Sequence, residues 1–382
     1  MSPNHPILAP ELMDMIIDFL HDDPVALKNC SLTCTSWVPT CRLHLFDTIQ
    51  LQEKRLKSFH TILQFSPHIG PYVKFLHVEL SEPEDPELFT FIVPHLTSLE
   101  DLDIYAVENS LVPWDSLATL AMTVVRLHVE AREAFEGPWD LVRLIRLFPK
   151  IKRFSVYDRG EPEITIESVY ALAGALNGCR DLNILDLQFC HLAVVFTGIL
   201  RIHNFDALDT LLFQSCCTDE WDAFPNLLTA KAKTWKNVTL ILGDLHQADE
   251  HCIGETGPVI HALCACTSLR RLRFIAAHHT LEPLKALLSS STLSKLARQL
   301  TELHVELEFI NEMDMGRVDS IINDLRDIVA MLKHDRWKAL SSGKITVITK
   351  LTPVKDLVLS NAGELQKAQS KLKMRHISHR EP

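Results

Sequence analysis

The stretch Leu182-Asn-Ile-Leu185-Asp-Leu187-Gln-Phe-Cys190-His-Leu192 limits what this chain can fold into more than any other. Leucines occupy its first, fourth, sixth and eleventh positions, and a cysteine occupies the ninth. The middle alternates apolar and other residues, as a strand with one buried face requires. On that strand Leu185 and Leu187 face the core, while Ile184, Asp186 and Gln188 face the other way. A single such strand has little to pack against, so what matters is whether the phrase recurs.

It recurs in phase. Upstream are Val73-x-x-Leu76-x-Val78, Leu99-x-x-Leu102-x-Ile104, Val124-x-x-Leu127-x-Val129 and Ile151-x-x-Phe154-x-Val156. Downstream are Leu208-x-x-Leu211-x-Phe213, Trp235-x-x-Val238-x-Leu240, Leu269-x-x-Leu272-x-Phe274 and Leu300-x-x-Leu303-x-Val305. The steps between first positions are 26, 25, 27, 31, 26, 27, 34 and 31 residues. The shorter steps fit the leucine-rich repeat of ~20–29 residues, and the longer ones hold insertions. Nine copies predict a solenoid, each unit burying its face against its neighbours.

Between the phrases lie helical stripes that supply the crossovers parallel strands require. Leu141, Leu144, Ile145 and Phe148 form one, stopped by Pro149. Val169, Leu172, Ala173 and Leu176 form a second, and Val259, Ala262, Leu263 and Cys266 a third. The alternating stretch Phe46–Leu51 starts the sheet, and Ser342-Gly343-Lys344-Ile345-x-Val347 is expected to be its last strand, in a terminal repeat that caps the array. Residues 363–375 read as a helix ending in a disordered basic tail. Residues 243–258, with His246, Asp249, Glu250, His251 and Cys252, read as an exposed loop.

The first 47 residues follow another rule. Pro10 stands at the first turn of a helix, where its missing N–H costs nothing. Leu12, Met13, Ile16, Ile17 and Leu20 follow at helical spacing. Asp23 is an N-cap with Pro24 at the first helical position. A second stripe runs Leu27, Cys30, Cys34 and Trp37, and a third short piece runs from Pro39 to near Phe46. Trp37 is expected inside this small module.

The pattern Leu8-x-Pro10-Glu11-Leu12-x-x-x-Ile16-Ile17-x-x-Leu20, then Leu27-x-x-Cys30-x-Leu32-x-x-x-x-Trp37 and Phe46, resembles the F-box. Ala9 stands where many members carry proline. With the repeats behind it, the chain resembles the F-box/leucine-rich-repeat families of mushroom-forming fungi. The resemblance implies a non-catalytic substrate receptor of an SCF-type cullin–RING ubiquitin ligase. By it, Leu8, Pro10, Leu12, Ile16, Leu20, Leu27 and Leu32 contact a Skp-family adaptor attached to the cullin core, and the repeats hold a protein substrate.

The expected architecture is therefore α/β: a three-helix F-box-like module over 1–47, a curved leucine-rich-repeat solenoid over 48–350, and a basic tail over 351–382. Parallel strands line its concave face, and helices lie outside. On that face the outward positions nominate His77, Asp103, Tyr105, His128, Tyr157, Asp186, Arg271, Arg273 and His304 for the substrate. Arg271 and Arg273 are expected near Glu302, His304 and Glu306. Nine strands ~4.8 Å apart span roughly 40 Å, a size for a protein rather than a metabolite. Leu185→Ala is expected to be costly and Asp186→Ala nearly free.

Other chemistry finds little support. Gly343-Lys344 is followed by Ile345, so it makes no P-loop, and neither a G-x-S-x-G elbow nor an H-E-x-x-H helix occurs. Ser341-x-x-Lys344 has a spacing too common to signify a nucleophile. Cys264 and Cys266 near His261 would lie about 200° apart on a helix, unable to grip one metal ion. Neither cofactor nor metal is expected. A net charge of −11 argues against nucleic acid or anionic membrane as partner. The N-terminal residues lack the basic region of a signal peptide, and no apolar run reaches ~20 residues. Cytoplasm or nucleus is the expected site, with the cysteines as free thiols. Two other readings stay open: a repeat scaffold whose helical module only caps the solenoid, and an α/β enzyme with a deep pocket.

Overall fold

In the computed structural model, residues 9–52, 54–106, 111–131, 138–158, 166–188, 196–197, 200, 207–214, 218–242, 255–277, 281–290, 296, 298–309, 318–333, 343–349 and 372–377 are described. Leu8, Cys190, Ser341 and the residues expected in the 243–254 loop lie outside them.

One twelve-stranded sheet organises the chain, and every strand lies parallel beside its predecessor. The strands are β1 (Thr48–Leu51), β2 (Phe75–Leu80), β3 (Asp101–Ala106), β4 (Arg126–Ala131), β5 (Arg153–Asp158) and β6 (Ile184–Gln188). They continue as β7 (Thr210–Gln214), β8 (Asn237–Leu242), β9 (Arg271–Ala277), β10 (Glu302–Phe309), β11 (Gly343–Thr349) and β12 (Leu372–Ile377). A parallel neighbour can be reached only by a crossover. Helices supply it, including α4 (Arg55–Phe65) after β1 and α5 (Asp85–Ile92) after β2.

The strand register lines up the repeated phrase. Leu76, Leu102, Leu127, Phe154, Leu185, Leu211, Val238, Leu272 and Leu303 pair in one row across the sheet. Val78, Ile104, Val129, Val156, Leu187, Phe213, Leu240, Phe274 and Val305 form the next. Both rows are buried. A one-residue slip in any strand would turn its leucines to the far face, so burial fixes the register. The helices cover this side with Leu56, Phe89, Val142, Leu172, Phe224, Val259 and Leu284, all in the same core. The chain is thus an α/β protein with a solenoid-like parallel sheet, one face covered and one open.

The far end corrects the sequence reading. Residues 372–377 are not the end of a helix but β12, paired in register with β11 from Gly343↔Leu372 to Ile348↔Ile377, so β11 is not the last strand. Leu372, Lys373, Met374 and Arg375 alternate with period two before His376 and Ile377 break the pattern, and so short and basic a run carries little strand signal.

The N-terminal module contains α1 (Pro10–Asp18), α2 (Pro24–Thr33) and α3 (Val38–Phe46). The Asp23 carboxylate caps α2, accepting from Val25 N at 3.1 Å and Ala26 N at 3.0 Å. The helix stops at Thr33. Cys34 is extended, and a short 3-10 turn, Thr35–Trp37, redirects the chain, so the expected stripe breaks there. Ile17, Leu27 and Cys41 form a small separate core, with Leu20, Cys30, Trp37 and Leu45 against it. The Trp37 indole N–H donates to Met13 Sδ at 3.2 Å. Through α3 the module meets the sheet: Phe46 packs on the main core, and Arg42 lies 2.9 Å from His68.

Candidate functional site

Two surfaces stand out, one on the module and one on the sheet. On α1, Ile17 turns into the small core while Leu12, Met15, Ile16 and Phe19 stay in solvent, at exposures of 49, 54, 51 and 82%. Their spacing is i, i+3, i+4 and i+7, one continuous face of a helix. On α2, Leu27 turns inward, and Val25 and Leu32 are exposed, Leu32 at 86%. Leaving such side chains in water rather than burying them forgoes roughly 1.5–3 kcal/mol each.

This divides the residues expected to meet an adaptor. Leu12, Ile16 and Leu32 are exposed. Leu20 is half-buried on the module core. Leu27 is a correction: at 1% exposure it holds the helices together and offers no surface. Pro10 starts α1. Met15, Phe19 and Val25 were missed. The signal lay in α1 being apolar on two faces, Met13/Ile17/Leu20 and Leu12/Met15/Ile16/Phe19, where a helix with one buried face needs only one.

The open face of the sheet carries polar ladders in which each strand pairs with the next. In the row of His77, Asp103 and His128, His77 Nδ1 bonds Asp103 Oδ2 at 2.8 Å, and His128 Nε2 lies 3.8 Å from Asp103 Oδ1. The bond to Asp103 raises the His77 pKa above the usual imidazole value; burial opposes it, and Asp103, Glu79 and Glu130 add to it. Arg126 Nε donates to Asp101 Oδ2 at 2.8 Å. Burial raises the Asp101 carboxyl, and Arg126 and Arg153 offset part of that.

Asp186 is a second correction. It lies on the open face, yet Arg153 Nη2 and Ser155 Oγ donate to its Oδ2 at 2.8 and 3.1 Å, and the residue is 1% exposed. Tyr105 is also largely buried, while Tyr157 is half-buried. Further along, Arg273 Nη2 donates to Glu306 Oε2 at 2.8 Å, and His304 Nε2 lies 2.9 Å from Thr346 Oγ1. Arg271 turns the other way: its Nε donates to Asn237 Oδ1 at 2.6 Å, so the two arginines do not act as a pair.

Two hollows open here. One of about 170 Å³ is lined by Phe75, Asp101, Asp103, Arg126, Leu127, His128, Arg153 and Ser155. It falls below the ~300–1,000 Å³ of metabolite pockets and matches a single side chain. The other, about 580 Å³, is bordered by Lys54, Lys57, Glu79, Ser81, Glu82, Glu84 and Asp85. Every residue bordering it is charged or polar, whereas small-molecule sites are lined mainly by hydrophobic and aromatic side chains. Among the described residues, no group of three or more His, Cys, Asp or Glu is arranged for a metal ion. Among them, too, no helix is long and apolar enough to cross a membrane. Burial raises the Cys179 thiol to about 11 and, helped by Cys264, the Cys266 thiol to about 12.

No family model matches the chain, and the curated proteins contain no match to it.

Proposed function

We propose that this chain is a non-catalytic substrate receptor of an SCF-type ubiquitin ligase. In this reading the N-terminal module is an F-box that binds a Skp-family adaptor, and the sheet is a leucine-rich-repeat array that holds a protein substrate. One observation carries it: α1 and α2 leave Leu12, Met15, Ile16, Phe19, Val25 and Leu32 uncovered although the module core is complete. A module serving only as a cap has no use for that face. Uncovered apolar surface on an otherwise satisfied unit calls for a partner.

The second reading, a scaffold whose module merely closes the sheet, draws on α3. Phe46 and the Arg42–His68 contact join it to the repeats as a cap would. The two readings part at α1. Adaptor pull-down is run with wild type, Leu12→Glu and Leu32→Glu, each checked by circular dichroism. The receptor reading expects capture by wild type and its loss in both variants, because burying an unpaired carboxylate costs several kcal/mol. If wild type captures no Skp-family adaptor, the receptor reading falls and the scaffold remains.

A further inference from the structure

The hollow of about 170 Å³ over β3–β5 carries acids at one side and an arginine at the other. Asp101 and Asp103 line it from β3, Arg153 and Ser155 from β5, and Arg126 and His128 from β4 between them. The register builds this arrangement. Asp101, Arg126 and Arg153 pair across the strands in one row, and Asp103, His128 and Ser155 in the next row of that face. Two arginines side by side repel, and each turns to an acceptor on its far side. Arg126 Nε reaches back to Asp101 on β3 at 2.8 Å, and Arg153 Nη2 reaches forward to Asp186 on β6 at 2.8 Å.

These contacts leave much of the hollow's hydrogen-bonding capacity unspent. A guanidinium has five N–H donors, and a carboxylate about four lone-pair sites. Arg153 also uses Nε on Ser155 Oγ, at 3.3 Å. Among the described residues, both Nη groups of Arg126, Nη1 of Arg153 and Oδ1 of Asp101 have no partner. Asp103 gives Oδ2 to His77, and its Oδ1 stands 3.8 Å from His128 Nε2, beyond hydrogen-bond range. Two aspartates against two arginines make the lining formally neutral with His128 uncharged. A bare ion entering it would meet its like charge as closely as its opposite, and would lose its water for little return. A neutral group with donors at one end and an acceptor at the other satisfies both sides at once. Among side chains that group is a primary amide, with two N–H donors and a carbonyl oxygen in one plane. Phe75 and Leu127 complete the lining and give its methylenes an apolar wall.

We infer that this hollow seats the side chain of a glutamine or asparagine from a protein partner lying on the open face. The amide N–H groups point to Asp101 and Asp103, and the carbonyl oxygen accepts from Arg126 and Arg153. The space admits one such side chain and leaves the rest of the partner outside, over the sheet. Calling that partner a substrate rests on the receptor reading; the amide preference does not.

The test uses the full chain and four small probes, read by saturation-transfer NMR. Three are amino acids blocked with acetyl and N-methylamide groups, so that only the side chain differs: glutamine, glutamate and lysine. The fourth is free glutamine. Blocked glutamine is expected to bind with a Kd of about 1 mM, the reach of a ligand of about 14 non-hydrogen atoms at ordinary efficiency. Blocked glutamate and lysine should bind about tenfold more weakly, since each sets an unpaired charge against its like. Arg126→Met should weaken glutamine about tenfold and favour lysine, and Asp103→Asn should favour glutamate. Arg143→Gln, on the helix Pro138–Leu147, should bind as wild type does. If Asp103→Asn melts early for want of the His77 contact, Arg126→Met alone decides. The inference is overturned if glutamine does not bind, if a charged probe binds better, or if the ranking stays unchanged in Arg126→Met. Free glutamine binding tenfold tighter than the blocked form also overturns it, as the mark of a metabolite site. Adaptor capture is measured on the same proteins: its absence with glutamine binding intact removes only the receptor reading.

Discussion

Arg153 on β5 donates through Nη2 to the Asp186 carboxylate on β6 at 2.8 Å, and that carboxylate is sealed from solvent while the guanidinium is 42% exposed. The pair ties two neighbouring repeats on the face opposite the leucines. Removing the acid leaves Ser155 Oγ and Arg153 without their acceptor.

Asp186→Ala is therefore expected to cost about 1–3 kcal/mol, the range for a buried hydrogen-bonded group left unsatisfied. The full ~3–5 kcal/mol of a broken buried ion pair is not reached, because Arg153 can hydrate. Leu185→Ala should cost about 2–5 kcal/mol through its cavity. Urea denaturation checks both, and an Asp186→Ala midpoint equal to wild type would refute the pairing.

His77 gives the sheet a pH dependence. Its folded pKa lies above the ordinary imidazole value, chiefly through the bond to Asp103. The pair's contribution is thus full below the unfolded pKa of ~6.5 and fades as pH rises through the folded value. Wild type should lose stability relative to His77→Gln over that alkaline-going interval. Parallel melting curves for the two proteins at every pH would exclude it.

Gly70 sits where the chain passes the following repeat. A Cβ built there would stand 2.3 Å from the His95 carbonyl oxygen. Backbone cannot yield as a side-chain tip can, so Gly70→Ala should destabilise by about 1–3 kcal/mol. Gly257→Ala, with open space around it, should change little. Differential scanning calorimetry on the pair separates a steric effect from a general one.

Thiol chemistry should sort the described cysteines by environment. Cys34 has a lowered pKa, mainly through the Ser36 hydroxyl 3.0 Å away, and is half-buried. Cys179 and Cys266 are buried with raised values. Iodoacetamide at neutral pH should modify Cys34 well before those two in the native protein, as read by peptide mapping, since the thiolate is the nucleophile. Equal rates would mean the core opens readily.

Much of the repeat architecture was legible in the sequence because its cause is local and periodic. Each phrase marks its own buried positions by period-two alternation, so Leu76, Leu102 and their counterparts through Leu303 could be aligned before any contact was known. The Asp23 cap needs only its own two following N–H groups, and it too was readable. Tertiary structure decided what a side chain meets beyond its own element. Asp186 reads as an outward polar residue, and only Arg153 and Ser155, 33 and 31 positions earlier, hold its carboxylate away from solvent. Leu12 and Leu27 have the same chemistry, and only the packing of α1, α2 and α3 leaves one in water and the other in the core. β12 escaped detection because a basic six-residue strand carries little apolar signal of its own; its place comes from the hydrogen bonds β11 offers along its edge. Local pattern fixes which groups leave the core, and contact between distant segments fixes whether they reach solvent.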